Sequence, residues 1–167
     1  MTDRSEWLSL RKTGIGGSDA SAVIGCNPWK TNQQIFDEKT GVTESDSLSD
    51  NDAVQYGMAA ETPLRMLFAL DFPEYEVEHE EYKIYRHPDH PFLLGSFDGI
   101  LTHKETGEKG ILEIKTTEVM RSMIYEKWND QIPQNYFVQI LHYLLVSGLA
   151  LFRFRIDADE CFDEGPE

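Results

Sequence analysis

Cysteine is scarce in this 167-residue chain: Cys26 and Cys161 are the only two, and they lack Cys-x-x-Cys spacing. They can neither staple a small secreted fold nor build a zinc site or a four-cysteine iron–sulfur cluster. A reducing, cytoplasmic setting is the expectation that follows. Long apolar runs are missing too; none approaches the roughly 18 residues that a membrane span requires. The N-terminal MTDRSEWLSLRK is charged and amphipathic, unlike a signal peptide, so no membrane partner is expected. Positive charge is the third shortage. Fifteen Lys and Arg stand against thirty Asp and Glu, a formal net charge of −15. Nucleic-acid binding rests largely on Lys and Arg neutralising phosphates. Such a function therefore requires the basic residues to gather in one groove and a metal to offset local acids. Much of the acidic excess lies in VTESDSLSDND (42–52) and in the tail DADECFDEGPE (157–167), which read as solvated linker and tail.

What the chain does have is a core. Hydrophobic residues make up 40% of it and three are tryptophans, enough for a single globular domain spanning 1–167. The most informative stretch is GILEIKTT, an apolar run interrupted by Glu113 and Lys115. In a strand, side chains alternate faces, so Glu113 and Lys115 share one side while Leu112, Ile114 and Thr116 share the other. Burying such charges is costly unless they are paired or hold a metal. A second apolar segment, LLGSFDGIL, carries Asp98, and the polar THKETGEKG follows it as a turn. Two strands joined there bring Asp98 beside Glu113. Two carboxylates suit Mg²⁺, with Mn²⁺ as the alternative ion. The adjacent lysine suits a group that orients or deprotonates a water.

Elsewhere the pattern predicts helices first and strands later. Asp3 and Glu6 cap a short helix through Trp7 and Leu10. After GIGGSD, Ser18 or Asp19 caps a second one over ASAVIG. Thr31 and Gln34 cap a third, stopped by Gly41. Residues 53–70 are helical in pattern, with Pro63 expected to kink or restart that helix. YEVEH, YKIYR, PFLLGSFDGIL and GILEIKTT read as four strands. An amphipathic helix is expected over 119–129, another opens at Pro133 through NYFVQILHYLLVSG, and ALFRFRI is a last strand. This order implies an α/β architecture, a mixed sheet flanked by helices.

RKTGIGGSDASAVIGCNPWKT, YGMAAET, GSFDG, LEIKTT and IPQNYFVQILHYLLVSG occur in that order between about Arg11 and Gly148. Together they resemble the lambda-exonuclease, or YqaJ-like viral recombinase, nucleases, whose Asp…Glu-x-Lys core is that of the restriction-enzyme-like PD-(D/E)xK enzymes. The resemblance implies a restriction-endonuclease-like core and Mg²⁺-dependent digestion of linear duplex DNA from a 5′ end. The remaining 3′ strand would pass to a single-strand annealing protein, as in phage-type recombination in a bacterial or phage-infected cell. It also implies a ring of three subunits around the DNA. By the same resemblance Asp98 and Glu113 are metal ligands, the Ile114 carbonyl a third, and Lys115 serves the attacking water. Glu61 falls on a helical glutamate that helps hold the metal, and Gln139 on the glutamine of a Tyr-x-x-Gln helix. Arg11 and Ser18 fall on a pair that binds the 5′ phosphate.

The residues themselves leave other readings open. Glu61 also reads as a solvent-facing helix acid, and Gln139, between Tyr136 and Tyr143, as part of a packing stripe. Ser18 also reads as an N-cap, and Arg11 as a surface arginine. Yet a helix N-terminus and an arginine fork are both anion sites. His79, His87 and His90 lack zinc spacing, and His142 reads as an ordinary helix residue. Trp29 and Trp128 are suited to base stacking but are expected to pack in a core or interface. The family usually continues with a further strand and a C-terminal helix where this chain has its acidic tail. That departure bears on trimer formation and the DNA path more than on the metal site. The alternative function from another class is a catalytically inert nuclease-fold module that binds or interacts.

Overall fold

A computed structural model describes residues 3–44, 51–118 and 132–159. The helix expected over 119–129, Trp128, Cys161, most of the acidic linker and the tail beyond residue 159 lie outside the described residues.

The N-terminal helices form where their caps predict. Helix α1 (Arg4–Arg11) starts at Asp3, whose side chain accepts the Glu6 N–H at 2.8 Å. Helix α2 covers Gly17–Val23, and there the expected cap is corrected. Gly16 is the N-cap, while Ser18 and Asp19 lie inside the first turn. Asp19 bonds back to the Gly16 N–H at 2.9 Å, which satisfies a donor that glycine cannot cap with a side chain. Helix α3 (Asn32–Thr40) has the full Thr31–Gln34 capping box and stops at Gly41 with φ 76°. Helix α4 runs unbroken from Asp52 to Asp71 through Pro63, so it does not restart there. Pro63 and Ala59, whose carbonyl the proline leaves unbonded, both face solvent, so water can take that acceptor.

The strands are β1 (Tyr75–Glu78), β2 (Tyr85–Arg86), β3 (Leu94–Gly95), β4 (Gly99–His103), β5 (Lys109–Glu118) and β6 (Leu151–Asp159). Helix α5 (Gln134–Ser147) leads into β6 after Gly148 at φ 68°. The run PFLLGSFDGIL, expected as one strand, is two. Its first half pairs with β2 and its second half with β1 and β5, so the chain must change sheets between Gly95 and Gly99. Asp98 sits at that break. The main sheet has the order β1-β4-β5-β6, antiparallel except for the parallel β5–β6 pair, and is therefore mixed as expected.

Strand β5 is central and buried on both faces. Leu112 and Ile114 meet Leu64 and Phe68 of α4, together with Tyr75 and Leu101. On the opposite face Ile111 meets Tyr143 and Val146 of α5, together with Phe97. Burying each such side chain contributes on the order of 2 kcal/mol, so this α/β/α layering is held mainly by the two apolar faces of one strand. The N-terminal helices are stitched on through Ile15, whose N–H and C=O bond Phe92 O and Leu94 N at 2.7 and 2.8 Å. A Cβ on Gly17 would stand 2.2 Å from the Tyr143 ring, so only glycine allows α2 to lie this close to α5. Among the described residues, no helix is long and apolar enough to cross a membrane.

Candidate active site

The strand alternation that fills the core also carries Glu113 inside. Glu113 is 2% exposed and faces α5. Its Oε1 is ion-paired with Lys115 Nζ and accepts Gln139 Nε2–H at 2.7 Å. The same Gln139 amide donates to the Tyr143 hydroxyl at 3.0 Å. The second oxygen, Oε2, is buried and has no hydrogen-bond partner among the described residues. Such an orphan acceptor is costly, and a native protein keeps one only for a reason such as a bound ion.

The β4–β5 register, Gly99 opposite Leu112, places Asp98 opposite Glu113 as the hairpin reading requires. The Asp98 Oδ2 accepts the Ile114 N–H at 2.7 Å. A strand residue directs its N–H and C=O toward the same edge. The Ile114 carbonyl therefore faces the Asp98 side as well, where the ladder with β4 has already ended. Glu61 belongs to α4, one turn before Leu64 in the core, and lies in the electrostatic field of Asp98 and Lys115. So Glu61, Asp98, Glu113, Ile114, Lys115 and Gln139, separated widely in sequence, are brought to one place.

The acids there resist ionisation. Burial pushes the Glu113 carboxyl up to about 8 from 4.5, and the neighbouring charges of Asp98 and Glu61 add to the rise. Burial, then Asp98, lifts Glu61 to about 7. Asp98 is raised by burial as well, although Lys115 and the Ile114 N–H oppose it. Burial works against the Lys115 ammonium, but Glu113 and Asp98 outweigh it and raise its pKa. Lys115 thus holds its proton in this arrangement, which favours orienting a water over deprotonating one. Three carboxylates held short of full ionisation thus stand around the Lys115 ammonium, with the Arg65 guanidinium in the field of Glu61 and Asp98.

A divalent cation fits this donor set. The donors are all oxygens, as Mg²⁺ and Mn²⁺ prefer. Among the described residues no three His, Cys, Asp or Glu side chains stand ready-made as a metal cage. Mg²⁺ does not need one, because it keeps several waters and commonly takes only one or two carboxylates beside a substrate phosphate.

Arg11 and Ser18 lie at a separate corner. Arg11 Nη2 donates to Ser18 Oγ at 3.2 Å, and the guanidinium covers the Trp7 ring at 4.6 Å. Lys39 supports this corner from α3, donating to Arg11 O at 2.8 Å and pairing with Asp19 at 2.7 Å. Tyr143 joins corner and cluster. It packs on Gly17, bonds Gln139, and feels both the Glu113 and Asp98 charges and that of Arg11.

The remaining histidines and tryptophans separate clearly. His142 is buried and bonds Leu94 O at 2.8 Å, a structural role. His87 stacks on His90, and its Nδ1 accepts the Asp89 and His90 N–H groups, capping its own loop. Trp29, expected in a core or an interface, is 72% exposed and so lies outside the core. Three further residues border the cluster: Tyr136, read from sequence as packing, lies under Lys115 at 5.8 Å; His79, read as lacking zinc spacing, has its pKa lowered by burial and by Arg65; and Arg65, which was not singled out, donates from α4 to Asp98 O. Arg65 did leave a signal, its position four residues after Glu61 on one helix face.

Known proteins place this arrangement in context. The chain is 38% identical over 146 residues to the uncharacterized protein YqaJ of Bacillus subtilis (strain 168), covering 87% of this chain and 43% of that one. The chain thus spans less than half the length of that relative. An alkaline exonuclease, LHK-Exo, from Laribacter hongkongensis superposes with a TM-score of 0.73 at 20% identity, over 96% of this chain and 77% of the other. The same exonuclease in complex with dAMP gives a TM-score of 0.74, also at 20% identity and with the same coverage. The fold is therefore the restriction-endonuclease-like one expected from the mixed sheet and flanking helices. Residues 6–150 match the YqaJ-like viral recombinase domain, and the chain belongs to that family.

Proposed function

We propose that this chain is a Mg²⁺-dependent deoxyribonuclease that digests linear duplex DNA from a 5′ end. The observation that carries the reading is the buried Glu113 Oε2, without a hydrogen-bond partner among the described residues, in a cluster of carboxylates. Asp98, Glu113 and the Ile114 carbonyl would hold the ion, with Glu61 holding it or its waters. When bound, a divalent ion polarises the scissile phosphate and lowers the pKa of the attacking water. Lys115, as an ammonium, orients that water and offsets charge gathering on the phosphate. Gln139 fixes Glu113 through Oε1 and so leaves Oε2 free for the ion.

Arg11 and Ser18 would receive the 5′ phosphate. A guanidinium and a hydroxyl already in contact offer the fork and the neutral donor that a terminal phosphate takes. Tyr143 sets the spacing from this corner to the cleavage point. The same reading includes a single-strand annealing protein that takes the 3′ strand and a ring of three subunits. Enclosure suits a chain whose charge of −15 gives little long-range attraction to DNA.

Digestion of linear duplexes with 5′-phosphate or 5′-hydroxyl ends, in Mg²⁺ and in EDTA, tests the proposal. Cutting only with the metal, and faster from phosphorylated ends, is expected. No cutting of either duplex in Mg²⁺ or Mn²⁺ would instead favour the inert module.

A further inference from the structure

Glu61 and Asp98 come from different layers. Glu61 lies on α4, against one face of the sheet, whereas Asp98 lies at the break between β3 and β4. A shared ion tolerates little error in their separation. The main chain at Asp98 gains no help from strand pairing, because the ladder to β5 begins only at Gly99. Two contacts hold it instead. The Ile114 N–H takes the carboxylate at 2.7 Å, and Arg65 Nε donates to the main-chain carbonyl at 2.7 Å.

Arg65 is one helical turn after Glu61, so both project from one stretch of α4. Leu64 and Phe68, buried beside it, anchor that stretch against Leu112 and Ile114 of β5. The guanidinium therefore works from a rigid base. One bond locks the Asp98 peptide to the helix that carries Glu61, and the guanidinium also lies in the field of both acids. From this juxtaposition we infer that Arg65 is a positioning residue for the metal centre: it ties the Asp98 main chain to α4 and sets the Glu61–Asp98 separation. The inference rests on the nuclease reading above. Residues that orient metal ligands typically change metal affinity by roughly 10–100-fold when removed.

The test is calorimetric titration of the DNA-free protein with Mg²⁺, for the parent, Arg65→Met and Arg65→Lys, with unfolding of each followed in EDTA. Arg65→Met removes the donor and the charge while keeping an apolar stem. It should bind Mg²⁺ at least roughly tenfold more weakly, while its unfolding temperature in EDTA stays close to the parent's. The Mg²⁺ concentration giving half-maximal cutting should rise by the same factor, with most of the rate recovered at saturation. Arg65→Lys, which keeps a cation and a donor but not the planar guanidinium, should fall between the two. Parent-like Mg²⁺ binding by Arg65→Met overturns the role. So does a loss of binding that only mirrors a lowered unfolding temperature, with no recovery in Arg65→Lys. Should Arg65→Met fail to fold, Arg65→Lys decides, and binding equal to the parent's overturns the role. A parent protein that binds no Mg²⁺ overturns the nuclease reading as well, whereas a parent that binds while the variants match it overturns only the role of Arg65.

Discussion

Helix α5 walls two regions that handle negative charge, and they are built in opposite ways. At one turn Gln139 reaches into the core to hold Glu113, a carboxylate 2% exposed. One turn later Tyr143 packs on Gly17, behind the exposed pair of Arg11 and Ser18. The first region gathers acids in a poorly solvated place and offsets them with the Lys115 ammonium and the Arg65 guanidinium. The second sets a cation and a hydroxyl in water, where their contact is weak. Burial makes the first a strong attractor for a cation, while exposure makes the second an adjustable grip for an anion. Changes in the interior should therefore be severe and couple to stability, and changes at the corner mild and selective.

Glu113→Gln should have the largest effect. It keeps the shape and removes the charge, so cutting should slow by at least ~10²-fold, as for loss of a key electrostatic stabiliser. Stability in EDTA near pH 8 should not fall and should rise, because a buried charge is removed. A rate equal to the parent's would break the comparison.

Lys115→Ala should slow cutting by a similar ~10²-fold but have the opposite effect on folding. It leaves Glu113 buried without its cation, which costs on the order of 3 kcal/mol where that acid is ionised. Chemical unfolding in EDTA, compared with Glu113→Gln, reads the opposing signs. Equal stability changes in the two variants would show that the ion pair does not set the energetics of this interior.

The pH dependence sharpens the same contrast. In the folded chain Glu61 and Glu113 keep protons up to about 7 and about 8, against 4.5 ordinarily. The folded state then binds more protons than the unfolded state between about 4.5 and 8, so stability falls as pH rises through that window. The contribution is fully present below about 4.5 and lost above about 8. Unfolding in EDTA at pH 5, 6, 7 and 8 should show this decline in the parent, and a flatter one in Glu113→Gln. Identical slopes would remove Glu113 from the account.

Arg11→Ala should do least. It should abolish the preference for 5′-phosphorylated ends and slow cutting of those ends by roughly tenfold, as for loss of one charge-assisted contact, with little change in unfolding temperature. Competition between phosphorylated and hydroxyl duplexes measures it. A preserved preference would detach the corner from end recognition.

The sequence made the interior region legible because its chemistry contradicts its surroundings. An acid and a lysine two apart in an apolar strand, with Asp98 at hairpin distance, predict the register that the structure has. Capping at Asp3 and Thr31, and the stop at Gly41, were visible because caps are local. What escaped depends on contacts far apart in sequence. The split of PFLLGSFDGIL follows from a change of sheet partner, which no local pattern encodes. Arg65 bonds a carbonyl 33 residues away. The cap expected at Ser18 or Asp19 was placed too late in the chain, because Gly16 takes it and Asp19 closes it from within.

The central claim, that the buried acids form a cation site, is tested most directly by titrating Mg²⁺ or Mn²⁺ into the parent and Glu113→Gln while following thermal unfolding. An ion that binds only the folded chain stabilises it by about 2.7 kcal/mol at one hundred times its Kd. The account predicts a steady rise in unfolding temperature for the parent, and a rise for Glu113→Gln that needs at least roughly tenfold more metal. No rise in the parent, or the same rise at the same concentration in both, would contradict it.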